Sequence, residues 1–204
     1  MTAKLRLILV NNYKEDAKSQ EALRNITRST GQLVEMIDHK TTDLAAKVLD
    51  MSPDIVFLSG STALLTKPRA RAEFQEEMDL VRKASFPILG ICFGHQLIGT
   101  AFGSPMTDLG QMILRFEQVS ILDHHPVFNG LPTSITVAES HRQVLTEVPD
   151  GFRRLAESST SNIEAICHET KPLYGFQFHP ERADENHPHG RMIIQNLMKL
   201  ATKA

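Results

Sequence analysis

"FPILGICFGHQLIGTAFG", residues 86–103, decides how the chain is read. The apolar run "FPILGI" has the length of a buried strand, and the stretch after Cys92 has the texture of a helix. Cys92 stands at their junction, with Gly90 and Gly94 two positions to either side. A nucleophile on a strand-to-helix elbow occupies a strained turn with little room around its backbone. Small residues at the flanking positions relieve that crowding and give the pattern G-x-Nuc-x-G. Such an elbow puts the sulfur at a helix N-terminus, where the dipole and free N–H groups favour thiolate. It also points the backbone N–H of Phe93 toward an oxyanion forming on a substrate carbonyl. The alternative for any lone cysteine is a small buried hydrophobe, the reading kept for Cys167 in "IEAICHET".

Working outward, the segment before the elbow alternates strands with helices. "LRLILV" (5–10), "QLVEMI" (32–37), "DIVFLSG" (54–60) and "FPILGI" (86–91) read as strands. "SQEALRNITRSTG" (19–31), "TDLAAKVLD" (42–50) and "RAEFQEEMDLVRKA" (71–84) read as helices. That order predicts an α/β fold with a mostly parallel sheet flanked by helices, its site beyond the carboxyl ends of the strands. "LSGST" and "LGICFGHQ" lie at such ends. From about residue 112 the texture becomes β-rich. "ILRFEQVSIL", "SITVAES", "FRRLAES", "IEAICHE" and "LYGFQFH" are separated by turn signals, and "GRMIIQNLMKLATKA" reads as a closing helix. No repeat or linker interrupts the 204 residues, so one domain spanning 1–204 is expected.

With 41% apolar and 23% charged residues the composition is that of an ordinary globular protein. A net charge of -2 gives no reason to expect nucleic acid or an anionic membrane as partner. The apolar run near the start is too short to span a bilayer, and a cytoplasmic location is expected, with Cys92 and Cys167 unpaired.

A cysteine nucleophile needs a base, and the base an orienting partner. Of the nine histidines, His39, His124, His125 and His168 lie in turn-like or charged surroundings and read as surface residues. His187 and His189 are a weak metal signal, because Pro188 separates them and no ligand cysteine is near. His95 follows the elbow and reads as packing or capping that helix. His179 ends a β-like run, "LYGFQFHPER", with Glu181 two positions on. Alternation along an extended segment would send both side chains to one side, where the carboxylate could fix the imidazole tautomer.

With these residues in place, "GICFGHQ" and "GFQFHPE" resemble the nucleophile and His-x-Glu motifs of the class I (triad-type) glutamine amidotransferases. The likeness covers nearly the whole chain, implies that family's flavodoxin-like fold, and is greatest to the glutaminase subunit or domain of GMP synthetase. It implies that Cys92 attacks the side-chain amide of glutamine, with His179 as base and Glu181 as its orienter. Phe93 and Ser61 would supply the oxyanion-hole N–H groups. Gly60, Gln96, Ser140, His141 and Arg142 would hold the amino-acid head. No metal or other cofactor is implied, and ammonia would pass to an ATP-dependent synthetase subunit.

Three positions depart from the family pattern. Its oxyanion loop usually reads Ser-Gly-Gly-Pro, where this chain has Ser59-Gly60-Ser61-Thr62. A serine forced to positive φ there would store roughly 1 kcal/mol or more. An acidic residue common two positions after the Ser-His histidine is Gln143 here. The same residues also fit a hydrolase for another γ-glutamyl compound, or a regulatory protein on an amidotransferase scaffold.

Overall fold

The structure is a computed structural model and describes residues 4–202. Residues 1–3 at the start of the expected domain, and the last two residues of the expected closing helix, lie outside the described residues. Nine strands form one sheet in the order β2-β1-β3-β4-β9-β8-β7-β5-β6. Its parallel part comprises β2 (Val34–Asp38), β1 (Leu7–Asn11), β3 (Ile55–Leu58), β4 (Ile88–Ile91) and β9 (Leu173–Phe176). The antiparallel part continues through β8 (Ala165–His168), β7 (Phe152–Ser158), β5 (Met106–Ile121) and β6 (Ser134–Leu145).

Strict alternation in the central strands builds two cores. Leu7 and Leu9 of β1 face one side, with Ala22 and Ile26 of α1 (Asp16–Thr30) and Ile193, Ile194 and Leu197 of α6 (His189–Ala201). Ile8 and Val10 face the other, with side chains from α2 (Leu44–Asp50), α4 (Gln75–Lys83) and α5 (Phe93–Ala101). A strand covered on both faces must be apolar throughout, and β1, β3 and β4 are. The strand order reverses at β1, so the crevice beyond the ends of β1 and β3 is where ligands bind in sheets of this kind. No helix among the described residues is long and apolar enough to cross a membrane.

The structure corrects several sequence expectations. The helix expected over 71–84 is two, α3 (Pro68–Glu73) and α4, broken at Phe74. Phe74 turns its ring into the core, stacking on His39 at 4.5 Å and packing against Phe93 at 4.6 Å, whereas α3 buries nothing. The same contact makes His39 a buried residue rather than a surface one, its Nδ1 3.0 Å from the Asn11 carbonyl. Strand β5 starts seven residues before the expected 113, running from Met106 as a ribbon with β6. The last strand stops at Phe176, so His179 and Glu181 do not alternate along it. Pro180 opens a 3₁₀ turn, Pro180–Arg182, that carries the glutamate. His187 and His189 have structural partners: His187 stacks on Phe116 and pairs with Asp184, and His189 Nδ1 accepts the Thr136 N–H. Cys167, free and buried in β8, is the small core residue expected.

The elbow glycines are steric requirements. A Cβ on Gly90 would lie 2.5 Å from the Gly94 carbonyl, and one on Gly94 2.5 Å from the Leu58 carbonyl oxygen. That oxygen belongs to a central strand and has no room to yield. Gly94→Ala is therefore expected to destabilise the fold by about 1–3 kcal/mol, read from the midpoint of urea unfolding.

Candidate active site

Cys92 follows β4 at φ 51 and ψ -98, one of three non-glycine residues at positive φ among those described. Its N–H donates to the Phe176 carbonyl at 2.8 Å, carrying the β4–β9 ladder one residue into the turn. The side chain is 4% exposed, and Sγ donates to the Ser140 carbonyl at 3.4 Å. Gln177 Nε2 lies 3.8 Å from the sulfur. Burial first, then the charge of Glu139, pushes the thiol up to about 12, against the opposing pull of Arg182 and the Phe93 N–H. The thiolate expected from the helix N-terminus is thus not the resting form. Desolvation and acidic neighbours outweigh the dipole.

His179 is held from two directions. Its backbone N–H donates to the Ala138 carbonyl of β6 at 2.8 Å, and Nδ1 lies 2.7 Å from Glu181 Oε1. Nε2 is buried and has no partner among the described residues. Burial pushes the Glu181 carboxyl up, but the charge and hydrogen bond of His179, with Arg182 behind, outweigh it and keep it below the usual range. The pair is therefore a carboxylate on Nδ1 with Nε2 free to accept or donate. Sγ and His179 meet the carbonyls of Ser140 and Ala138, two residues apart on one edge of β6, a separation of about 7 Å along the strand.

A cavity of about 340 Å³ opens over the sulfur. Cys92, Ser61, Gln96, Ser140, His141 and Arg142 line it, whereas the predicted Gly60, Phe93, His179 and Glu181 are not among its lining residues. The strain foreseen for Ser61 is absent. Ser61 is not among the positive-φ residues, and its hydroxyl donates to the Asn12 carbonyl at 2.8 Å and accepts from Ala63 N–H at 3.1 Å. Gln96 spends its amide hydrogens within the protein, on the Gln143 carbonyl at 2.7 Å and Gln177 Oε1 at 3.2 Å. Gln143 Oε1 accepts the Thr66 N–H at 2.9 Å, and Arg142 pairs with Asp108 at 2.8 Å. His141 turns Nδ1 to Glu139 Oε2 at 2.8 Å with neither side chain exposed. His95, on the buried face of α5, packs against Gly175, and burial pushes it down to about 3, a neutral core residue.

Residues 9–200 match the family model described as glutamine amidotransferase class-I. The chain belongs to that family. A protein of Methanosarcina barkeri, named as a component of glutamine-hydrolysing GMP synthase, is 32% identical over 200 residues, 98% of each chain. The protein of the same name from Thermococcus kodakarensis is 44% identical over 114 residues, 56% of this chain and 60% of its own. A crystal structure from Thermoplasma acidophilum, described as that of a GMP synthase component, superposes with a TM-score of 0.83 at 27% identity, covering 100% of this chain and 96% of that one.

Three features of this amidotransferase site escape a reading of the sequence. Tyr13 and Arg182 line the cavity. Tyr13 stands just beyond the carboxyl end of β1, a position the parallel pattern could have flagged. Arg182 directly follows the His-x-Glu motif. The third feature is a set of buried carboxyls. Burial pushes Glu77 and Glu139 each up to about 8, and Glu164, against Glu139, also rises. Glu77 supports the loop after β3 through Asn12, whose Nδ2 donates to Glu77 Oε1 at 3.0 Å and to the Ser59 carbonyl at 3.2 Å.

These carboxyls set the pH dependence of stability. In the unfolded chain Glu77 loses its proton near the ordinary 4.5, whereas the folded protein keeps it to about 8. Across that window the folded state binds more protons, so stability falls as pH rises, by up to about 1.4 kcal/mol per unit for each group. Thermal melts should therefore give a lower Tm at pH 8 than at pH 5, and Glu77→Gln should make that drop smaller. Alkylation of Cys92 by iodoacetamide, read by peptide mass, should still be accelerating at pH 10, because the thiol remains protonated below about 12.

Proposed function

We propose that this chain is the glutaminase component of a two-part amidotransferase, hydrolysing glutamine through Cys92, His179 and Glu181. The observation that carries the reading is the buried His179–Glu181 pair at 2.7 Å, which leaves Nε2 without a partner beside the Cys92 elbow. Cys92 and His179 are held to carbonyls two residues apart on β6, those of Ser140 and Ala138. His179 Nε2 then takes the thiol proton as the sulfur attacks the amide carbon, and returns it to the departing nitrogen as ammonia leaves. Water, deprotonated by the same nitrogen, hydrolyses the γ-glutamyl thioester. One glutamine and one water give one glutamate and one ammonia. Glu181 holds the ring in one tautomer and stabilises the imidazolium that forms.

The backbone N–H groups of Phe93 and Ser61 would stabilise the tetrahedral oxyanion. Gly60 shapes the wall beside them, and Gln96, Ser140 and His141 bound the amino-acid head. Arg142 offers the substrate α-carboxylate a cation at the cavity rim. The ammonia would go to a separate ATP-dependent synthetase subunit, with amination of XMP as the reaction, by analogy with the GMP synthase components that this chain resembles.

Glutamate release from glutamine tests the reading directly. Cys92→Ala should abolish it, and His179→Ala and Glu181→Gln should each lower kcat by on the order of a hundredfold or more. With a synthetase subunit present, ammonium salts should restore product formation to the Cys92→Ala protein. Glutaminase activity surviving in folded Cys92→Ala would refute the assignment.

A further inference from the structure

Tyr13 is a cavity-lining side chain with a role still open. It stands two residues past β1, at the point where the strand order reverses, and is 7% exposed. Its hydroxyl lies against Gly60 so closely that a Cβ added there would collide with Oη, and that same Cβ would be 3.1 Å from His179 Cε1. The phenol and the imidazole therefore flank one point of the oxyanion loop, from the side on which Cys92 opens into the cavity. Among the described residues the hydroxyl makes no hydrogen bond.

The backbone beneath it is tied down on both sides. Tyr13 N–H donates to Asn11 Oδ1 at 3.2 Å, and Asn11 Nδ2 donates to the Tyr13 carbonyl at 3.1 Å. Asn12 N–H donates to Ser59 Oγ at 2.8 Å, and the Ser61 hydroxyl returns a bond to the Asn12 carbonyl at 2.8 Å. The ring is thus fixed to the loop that carries Ser61. A phenylalanine would pack on Gly60 equally well, so packing alone leaves the hydroxyl unexplained. Burial first, then the sulfur and the Glu181 carboxylate nearby, drives its acid dissociation well beyond the ordinary tyrosine range. That direction keeps the hydroxyl protonated and suits it to donate a hydrogen bond.

We propose that the Tyr13 hydroxyl donates a hydrogen bond to the substrate's amide oxygen as that oxygen becomes the tetrahedral oxyanion, a side-chain donor beside the backbone N–H of Phe93. This rests on the glutaminase reading above. A rigid donor that gains most as charge develops should act on kcat more than on KM.

The test is steady-state glutamine hydrolysis by Tyr13→Phe beside the wild type and Cys92→Ala, each full-length, with thermal melts to verify folding. The expected result is a kcat lower by about a hundredfold, a KM within about threefold of wild type, and an unchanged pH profile of Cys92 alkylation. Wild-type kcat in Tyr13→Phe overturns the proposal, as does a change confined to KM. An alkylation profile displaced to higher pH would place the hydroxyl on the sulfur instead, and overturns it too. If Tyr13→Phe does not fold, Tyr13→Leu takes its place under the same criteria. A wild type that releases no glutamate, whether by itself or with a synthetase subunit, overturns both readings. Normal wild-type activity abolished only by Cys92→Ala overturns this one alone.

Discussion

Two carbonyls on one edge of β6, those of Ala138 and Ser140, receive the backbone N–H of His179 and the thiol of Cys92, and the site depends on that meeting. β6 is the last strand of the sheet, four strands away from β9, and the nucleophile hangs from β4 on the far side of β9. Only because the antiparallel half curls over does the end of the sheet return to the elbow. The curl also covers part of an edge that would otherwise lie open to other chains. Cys92 and Ser140, 48 residues apart in sequence, are thus held side by side through a backbone group. Every sequence possesses such groups, and no motif records them.

The electrostatics of the site follow from how deeply this closure buries it. Burial and nearby carboxylates raise the Cys92 thiol well above its ordinary range and favour its protonated form at neutral pH. A standing thiolate–imidazolium pair is therefore not the resting state. In the proposed reaction, proton transfer accompanies attack, and the resting sulfur is protected from stray electrophiles and oxidants. The ionised Glu181 sits where a positive charge forms transiently. Burial raises the Glu139 carboxyl in the opposite direction from Glu181, so the two buried acids flanking the site differ in character.

The elbow was legible in the sequence because its constraint is steric and local. Gly90 and Gly94 have no space for a Cβ, so the pattern and the structure state one fact. The parallel half was legible because strands buried on both faces admit little besides apolar residues. Reading failed where distant contacts decide. Phe74 breaks a helix because His39 and Phe93 receive its ring, and nothing nearby in sequence announces either. His179 and Glu181 meet through a proline-led turn, where alternation along a strand is the expectation. The helix dipole at Cys92 is visible in sequence, whereas the burial and the Glu139 carboxyl that raise its thiol are not. The cost foreseen for Ser61 does not arise because its backbone does not take positive φ.

In the β5–β6 ribbon, Asp108 pairs with Gln143 and Ile113 with His141, so residues 109–112 stand opposite Arg142 alone. Gly110 takes φ 75 inside that excess, and Asp108 accepts from both Gly110 N–H and Arg142. Met112, at its end, looks into the cavity. Chain can be gained or lost within this bulge without disturbing the register from Ile113 onward, which carries Ser140 and Ala138. The doorway can therefore diverge among descendants of this protein while the chemistry behind it keeps its alignment.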